Sequence, residues 1–177
     1  MNVGLLALAA VLLAIERATY YTAWTYPGTF RAWSDRLPGG ARRGPVETLS
    51  RLFLGFKTIQ GSVYLSWCWV HGGTLVPASA GAVVSIVGVG LIAAGLALNA
   101  SVFHQLGTTG VFYGNRFGFQ VPWVQAFPFS WFRHPQYLGA ALLVWGFFVV
   151  MRYPYPDWYA VPLIESAYYV FIARAER

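Results

Sequence analysis

Five stretches of mostly apolar residues limit what this chain can fold into more than any other feature of the sequence. A helix needs roughly 20 apolar residues to cross a bilayer, and stretches near that length occupy residues 2–24, 51–70, 79–102, 135–151 and 158–173. Only 10% of the residues are charged, whereas a soluble domain has about 25%. In lipid, a helix satisfies every backbone polar group within its own segment. The sequence therefore predicts one all-α domain over residues 1–177, a polytopic transmembrane bundle of about five helices.

The distribution of basic residues predicts the orientation of this bundle. Eleven arginines and one lysine give a net charge of +6, and the arginines lie mainly in short connections and at the end of the chain, where they suit the cytosolic side of a membrane better than a nucleic acid. They are Arg31, Arg36, Arg42 and Arg43 before the second stretch and Arg51 at its boundary, Arg116 and Arg133 before the fourth, and Arg174 and Arg177 at the end. The N-terminus is then outside, and the last two helices form a hairpin around residues 153–157. The first stretch lacks a basic leader, which predicts a retained helix and not a signal peptide.

Ionisable residues at membrane depth are candidates for function, because burying an unpaired charge there is costly. Glu165 lies near the middle of the last apolar stretch. It either serves a functional site or pairs internally with an arginine such as Arg133 or Arg116. For Glu16, Arg17 and Lys57 we favour the simpler interpretation, that their charged ends reach the membrane interface.

The segment from His104 to Trp131 is too apolar for an ordinary loop and too rich in glycine for a continuous helix. Aromatic side chains are favoured at the membrane interface, so we expect this segment to cover a site at the cytosolic face. The sequence offers no set of metal ligands, and its single cysteine, Cys68, cannot form an internal disulfide.

A cluster directly after this segment favours binding of an anion. Pro135 marks the first turn of a helix, so His134 lies near the free N–H groups of that helix start, which suit a carboxylate or phosphate. Arg133 adds a bidentate donor. Tyr137 lies one turn further, and Gly139 permits close approach of a ligand or of another helix. An interfacial Arg-His anchor is the alternative. The glycines of the third stretch most often serve helix packing; they are Gly81, Gly88, Gly90 and Gly95.

Together these residues resemble the phospholipid N-methyltransferase family, whose members methylate phosphatidylethanolamine towards phosphatidylcholine. The resemblance runs from about Gly95 to Ser166. It is densest in Gly-Val-Phe-Tyr-Gly-Asn-Arg-Phe-Gly at 110–118, Val-Pro-Trp-Val at 121–124, Phe-Pro-Phe at 127–129, His-Pro-Gln-Tyr at 134–137 and Trp-Gly at 145–146. The isoprenylcysteine carboxyl methyltransferases of the same superfamily share the Arg-His-Pro-x-Tyr-x-Gly element and a late Glu, but the 113–118 and 122–124 elements are closer to the phospholipid branch.

The resemblance implies S-adenosylmethionine as the methyl donor. The family holds it with a Gly-x-Gly element in the third helix and an acidic pair in the last, which correspond here to Ala93-Ala94-Gly95 and Glu165-Ser166. Two of these positions depart from the family pattern, Ala93 for the first glycine and Ser166 for the second acid. The predicted cofactor-binding residues are Ala93, Ala94, Gly95, Tyr113, Gly114, Arg133, His134, Pro135, Tyr137, Gly139, Glu165 and Ser166.

The resemblance also implies a phospholipid substrate taken from the bilayer. We predict catalytic roles for His134 (as the base), Tyr137 and Glu165, and substrate-binding roles for Arg116 (with the lipid phosphate) and Trp123. The alternatives are a carboxyl or thiol methyltransferase, a sterol reductase of similar architecture, and a non-catalytic membrane subunit or transporter. The arginine-rich and alanine-rich composition favours a bacterial inner membrane, with the endoplasmic reticulum as the eukaryotic equivalent. The number of methylation steps and the oligomeric state stay open.

Overall fold

The computed structural model describes residues 2–78 and 81–176, and the predicted all-helical fold class is confirmed in this part of the chain. Six α-helices follow one another: α1 (Val3–Thr25), α2 (Pro27–Arg36), α3 (Gly40–Gly72), α4 (Ala82–Val111), α5 (Pro135–Arg152) and α6 (Ala160–Ala175), with a 3-10 helix at Gly114–Phe117. Each of the five predicted stretches corresponds to one of these helices, and α2 is additional. The start of the third stretch, at residues 79 and 80, lies outside the described residues.

Three helical segments in the described ranges are long and apolar enough to cross a membrane, judged by length and composition. They are Val3–Thr25, Ala82–Phe117 and Pro135–Arg152. Helix α6 has 16 residues, and α3, with 33 residues, is more polar than these three. The chain thus has helices suited to an integral membrane protein, while membrane crossing by α3 and α6 stays a prediction.

Helix α1 shows why the interfacial interpretation of two charged residues was wrong. Asn2 caps the helix by accepting a hydrogen bond from the backbone N–H of Leu5 at 3.1 Å. The helix then continues unbroken to Thr25, which leaves Glu16 and Arg17 inside it and only 5% exposed. They face the bundle because α1 packs against α3 and α6.

Helix α2 is absent from the sequence prediction because it is short and mostly polar. Pro27 begins it, and only Phe30 and Ser34 are buried. Arg31 and Trp33 remain exposed, while the Arg31 Nη2 atom donates to the Phe117 carbonyl oxygen at 2.9 Å. This bond connects α2 to the 3-10 helix.

Glycines allow α4 and α5 to pack with their backbones in contact. A Cβ atom built on Gly95 meets the Gly139 carbonyl oxygen at 2.5 Å, and one on Gly146 meets the Gly88 carbonyl oxygen at 2.7 Å. On each helix the two glycines are seven residues apart, Gly88 and Gly95 on α4 and Gly139 and Gly146 on α5. This spacing places both glycines of a helix on one face. The predicted packing role of Gly88 and Gly95 therefore agrees with the structure, whereas Gly90 faces open space.

A buried ion pair joins the turn between α5 and α6 to the end of α3. The Arg152 guanidinium donates to both carboxylate oxygens of Asp157, at 2.6 and 2.9 Å. Trp67 Nε1 donates to the same carboxylate at 3.0 Å. Burial alone raises the pKa of Asp157, but the hydrogen bonds and positive charge of Arg152, with the bond from Trp67, outweigh it and lower that pKa below its usual value. The two last helices pack together through this turn.

Candidate active site

Two cavities meet at a pair of tyrosines near one end of the bundle. The first, which we name the helix cavity, has a volume of about 390 Å³ and lies among α1, α3, α4, α5 and α6. The second, the loop cavity, has a volume of about 600 Å³ and is covered by the segment between the 3-10 helix and α5. Tyr113 and Tyr137 line both cavities. Both volumes fall in the range of small-molecule sites.

The position of Tyr113 depends on an unusual backbone conformation. Its φ of 59° and ψ of 35° lie in the left-handed region, which costs a non-glycine residue on the order of 1 kcal/mol. The next residue, Gly114, has no room for a side chain, because a Cβ would meet Thr109 Cγ2 at 2.4 Å. The turn directs the Tyr113 ring between Tyr20, at 5.8 Å between ring centroids, and Trp24, at 5.3 Å.

A carboxylate that the sequence prediction missed joins the two tyrosines. Glu176 Oε1 accepts hydrogen bonds from the hydroxyls of Tyr113 and Tyr137, and Glu176 lines the loop cavity. No lysine or arginine in the described ranges forms a salt bridge with it. Burial raises the pKa of Glu176 above its usual value, against the opposing effect of the two tyrosine hydrogen bonds. Its position directly after the last apolar stretch was the available sequence signal.

The start of α5 supplies the opposite charge to the same cavity. Pro135 begins the helix and His134 is its N-cap. Arg133, His134 and Pro135 line the loop cavity, as does Trp123, which is 89% exposed. The His134 ring stacks on Tyr137 with 5.9 Å between centroids. The structure thus brings together the predicted residues Tyr113, Trp123, Arg133, His134, Pro135 and Tyr137.

Glu165 belongs to a different set of contacts and lines neither cavity, although its partners Gln60 and Tyr64 line the helix cavity. Its side chain is 1% exposed, and its Oε1 atom accepts hydrogen bonds from Gln60 Nε2 and from the Tyr64 hydroxyl, the latter at 2.9 Å. Its nearest cation is Arg17, with 3.9 Å between Nη2 and Oε2. The alternative pairing with Arg133 or Arg116 was therefore wrong, and the internal partner is Arg17.

The remaining predicted site residues line neither cavity. Ala93 and Ala94 are exposed on α4, and Gly95 and Gly139 are covered by the α4–α5 contact. Ser166 accepts a hydrogen bond from Trp145 Nε1 at 3.0 Å. Arg116 donates to the Trp24 carbonyl oxygen at 2.8 Å and lies over the Trp24 ring. Gly114 acts through the turn that carries Tyr113.

The charges around the loop cavity fit a ligand that carries both an ammonium and a carboxylate. Glu176 offers a carboxylate that forms no salt bridge with a lysine or arginine of the described residues, and Arg133 offers a guanidinium on the same cavity. The aromatic side chains Trp123, Phe129, Tyr113 and Tyr137 line it as well, and aromatic faces attract cations. This donor set matches the amino-acid end and the sulfonium of S-adenosylmethionine.

Comparison with known proteins finds a family match over the part of the chain that carries most residues of the loop cavity. The sequence model of the family described as phospholipid methyltransferase matches residues 83–177, more than half of the chain. A phosphatidyl-N-methylethanolamine N-methyltransferase of Arabidopsis thaliana is 48% identical over 52 residues, which cover 29% of this chain and 32% of the plant protein. No solved structure matches the chain. The match to the family model confirms the resemblance seen in the sequence, and the chain belongs to the phospholipid methyltransferase family.

Proposed function

We propose that this protein uses S-adenosylmethionine to methylate the amine of phosphatidylethanolamine, or of its mono- and dimethyl derivatives, towards phosphatidylcholine at the cytosolic membrane face. The observation that carries the proposal is the meeting of two cavities at Tyr113 and Tyr137. Methyl transfer needs a donor and an acceptor aligned and shielded from water. Two compartments that share one wall suit a polar cofactor on one side and a lipid on the other.

Glu176 and Arg133 hold the cofactor in the loop cavity. Glu176 binds its ammonium, since this carboxylate has no cation of its own among the described residues. Arg133 and the start of α5 bind its carboxylate. The cofactor supplies a methyl group activated by a positively charged sulfur. Tyr113, Trp123 and Tyr137 present aromatic faces to that charge.

The lipid headgroup occupies the helix cavity and reaches it sideways from the bilayer. Helices α3 and α4 contact each other only sparsely. Phe53, Ile92 and Phe103 line the cavity from these two helices and remain partly exposed. This apolar edge suits acyl chains, while the amine lies against the tyrosine pair. The name of the plant relative favours phosphatidyl-N-methylethanolamine as the first lipid to test.

The substrate amine arrives protonated, and a base has to remove that proton before it attacks the methyl group. We assign this role to His134, whose usual pKa is about 6.5 and whose ring stacks on Tyr137. His134→Ala is expected to lower turnover by roughly 100-fold, the lower end of the range for general-base catalysis, while cofactor binding stays within about twofold. Turnover at the wild-type rate would exclude His134 as the base.

The proposal is tested with purified protein in lipid nanodiscs that contain phosphatidylethanolamine and its mono- and dimethyl forms. Methyl-labelled S-adenosylmethionine is added and the lipids are resolved by mass. We expect label in one or more of these lipids, and loss of labelling in Glu176→Ala but not in Glu47→Ala, an exposed carboxylate on α3. Cofactor binding without lipid labelling would instead favour a carboxyl or thiol methyltransferase.

A further inference from the structure

A buried polar cluster beside the helix cavity lies mostly outside the part of the chain that matches the family. It joins α1, α3 and α6 and consists of Glu16, Arg17, Lys57, Gln60, Tyr64 and Glu165. All but Glu165 precede residue 83, where the family match begins. Four buried or half-buried charges inside a membrane bundle are costly, and the mechanism proposed above uses none of them.

The two cations of this cluster converge on one carboxylate. Arg17 Nη2 lies 3.1 Å from Glu16 Oε2, and Lys57 Nζ lies 3.2 Å from Glu16 Oε1. Lys57 Nζ also donates to Gln60 Oε1 at 2.9 Å. Both cations line the helix cavity, so an anionic group in that cavity can contact them together.

Two atoms of the cluster lack the hydrogen-bond partners that burial normally demands. Arg17 Nε has no acceptor, and Glu165 Oε2 has no donor, among the described residues. Arg17 is 5% exposed and Glu165 is 1% exposed. Buried polar groups are almost always paired. Of the two residues, Arg17 lines the helix cavity, so its open donor indicates a ligand in that cavity that brings an acceptor.

We propose that Arg17 and Lys57 bind the phosphodiester of the lipid substrate, and that the balanced charge of the cluster selects a zwitterionic headgroup. The proposal rests on the proposed function, because it concerns the lipid of the same reaction. Two positive and two negative side chains give the cluster no net charge. An anionic lipid would leave one charge uncompensated in a low-dielectric site, whereas a headgroup with one phosphate and one ammonium would leave none.

The arrangement of the aromatic rings gives the headgroup the required reach. The Arg17 Cζ atom lies 4.4 Å from the centroid of Tyr169, and the Tyr169 ring stacks on Tyr137 with 6.1 Å between centroids. The Tyr169 ring is thus the one ring between the Arg17 guanidinium and Tyr137, which lines both cavities. With its phosphate at Arg17, a headgroup would extend its amine, two carbons further along, around this ring to Tyr137.

The first test measures lipid binding without a methyl donor, so that its outcome does not depend on catalysis. Native mass spectrometry compares short-chain phosphatidyl-N-methylethanolamine with phosphatidylglycerol of the same chain length. We expect the zwitterionic lipid to bind wild-type protein more tightly. Lys57→Met should weaken its binding about tenfold, the loss typical of a charge-assisted hydrogen bond, and Lys57→Arg should restore most of it.

Arg51→Met is the matched control, because Arg51 lies on the same helix with its charge exposed and paired with Glu47. It should bind like wild type. Equal affinity of wild type for the two lipids, or unchanged binding in Lys57→Met, would overturn the proposal. If Arg51→Met weakened lipid binding as much as Lys57→Met, the effect would come from the charge of the protein surface. This result would overturn the proposal as well.

Glu165→Gln provides a second test that does not depend on how Lys57→Met folds. The substitution keeps the shape of the side chain and gives the cluster one excess positive charge. We expect the lipid preference to shift towards phosphatidylglycerol by about tenfold, while the affinity for S-adenosylmethionine stays within twofold. An unchanged lipid preference in folded Glu165→Gln would contradict the charge balance. A loss of cofactor affinity would also overturn the proposal, because it would place Glu165 in the cofactor site that the sequence predicts.

Discussion

At the scale of single residues, the structure gives different contacts to two late glutamates, of which the sequence singled out only Glu165. The sequence favours Glu165, because a carboxylate in the middle of an apolar stretch stands out. The structure gives Glu165 partners from α1 and α3, and instead brings Glu176 to Tyr113 and Tyr137. Those contacts join residues 39 and 63 positions apart, so local sequence pattern did not reveal them.

Glu176→Gln tests the proposed contact of Glu176 with the cofactor directly. The amide keeps a hydrogen-bond acceptor for the tyrosines but removes the charge that binds an ammonium. We expect the dissociation constant for S-adenosylmethionine to rise by about tenfold or more, measured by isothermal titration in detergent. Glu47→Gln, which removes an exposed carboxylate from α3, should bind like wild type. Comparable losses in both variants would rule out a specific contact at Glu176.

The raised pKa of Glu176 adds a pH dependence of definite sign. Only the ionised carboxylate binds an ammonium, and its pKa in the protein lies above the usual value of 4.5. On acidification the cofactor affinity should therefore begin to fall at a pH above 4.5, and the fall should be absent in Glu176→Gln. A wild-type affinity that stays constant down to pH 4.5 would contradict this prediction.

At the scale of elements, hydropathy located each of the five longer helices, but α3 begins at Gly40 and not at residue 51, and α4 ends at Val111 and not at residue 102. It missed the short helix α2. The predicted fourth stretch, 135–151, agrees with α5 at Pro135–Arg152 to within one residue, because a proline start and a continuous apolar run mark it clearly. Helix α2 has ten residues, of which two are buried. Its hydrogen bond to the 3-10 helix is a tertiary contact, which a pattern of apolar residues does not contain.

Two glycines of α4 form a matched pair for testing how α4 packs against α5. Gly95→Ala places a methyl group 2.5 Å from the Gly139 carbonyl oxygen, whereas Gly90→Ala points into open space. We expect Gly95→Ala to lower the melting temperature of the protein in detergent by several degrees, since overpacking costs about 1–3 kcal/mol. Gly90→Ala should leave it unchanged or raise it slightly. Equal melting temperatures for the two variants would contradict the observed helix contact.

At the scale of the whole molecule, the half of the chain outside the family match completes the site. The family match begins at residue 83, yet Arg17, Tyr20, Lys57 and Tyr64 line the helix cavity from α1 and α3. From the sequence we predicted no role for these two helices beyond crossing the membrane. Their side chains acquire one only when the bundle closes around a cavity, which is a property of packing.

The same bundle allows the predicted orientation to be tested from its two ends. Helix α3 carries exposed Arg42 near its start, and at its other end the His71 carbonyl oxygen accepts a hydrogen bond from Arg152. Residues 45–72 of this helix span about 40 Å at 1.5 Å per residue. Arg42 and the turn that carries exposed Tyr155 therefore lie near opposite ends of the molecule. The positive-inside rule assigns the arginine-rich end to the cytosol.

Single cysteines at these two positions report the orientation, because the native Cys68 is 1% exposed and contributes little background. We expect a membrane-impermeant maleimide to label Tyr155→Cys in intact cells, and to label Arg42→Cys only in inverted vesicles. The reverse pattern would place the loop cavity, with Arg133 and Glu176, on the outer face, away from the cytosolic supply of S-adenosylmethionine. The proposed reaction requires the first pattern, so this labelling tests the orientation and the direction of cofactor access together.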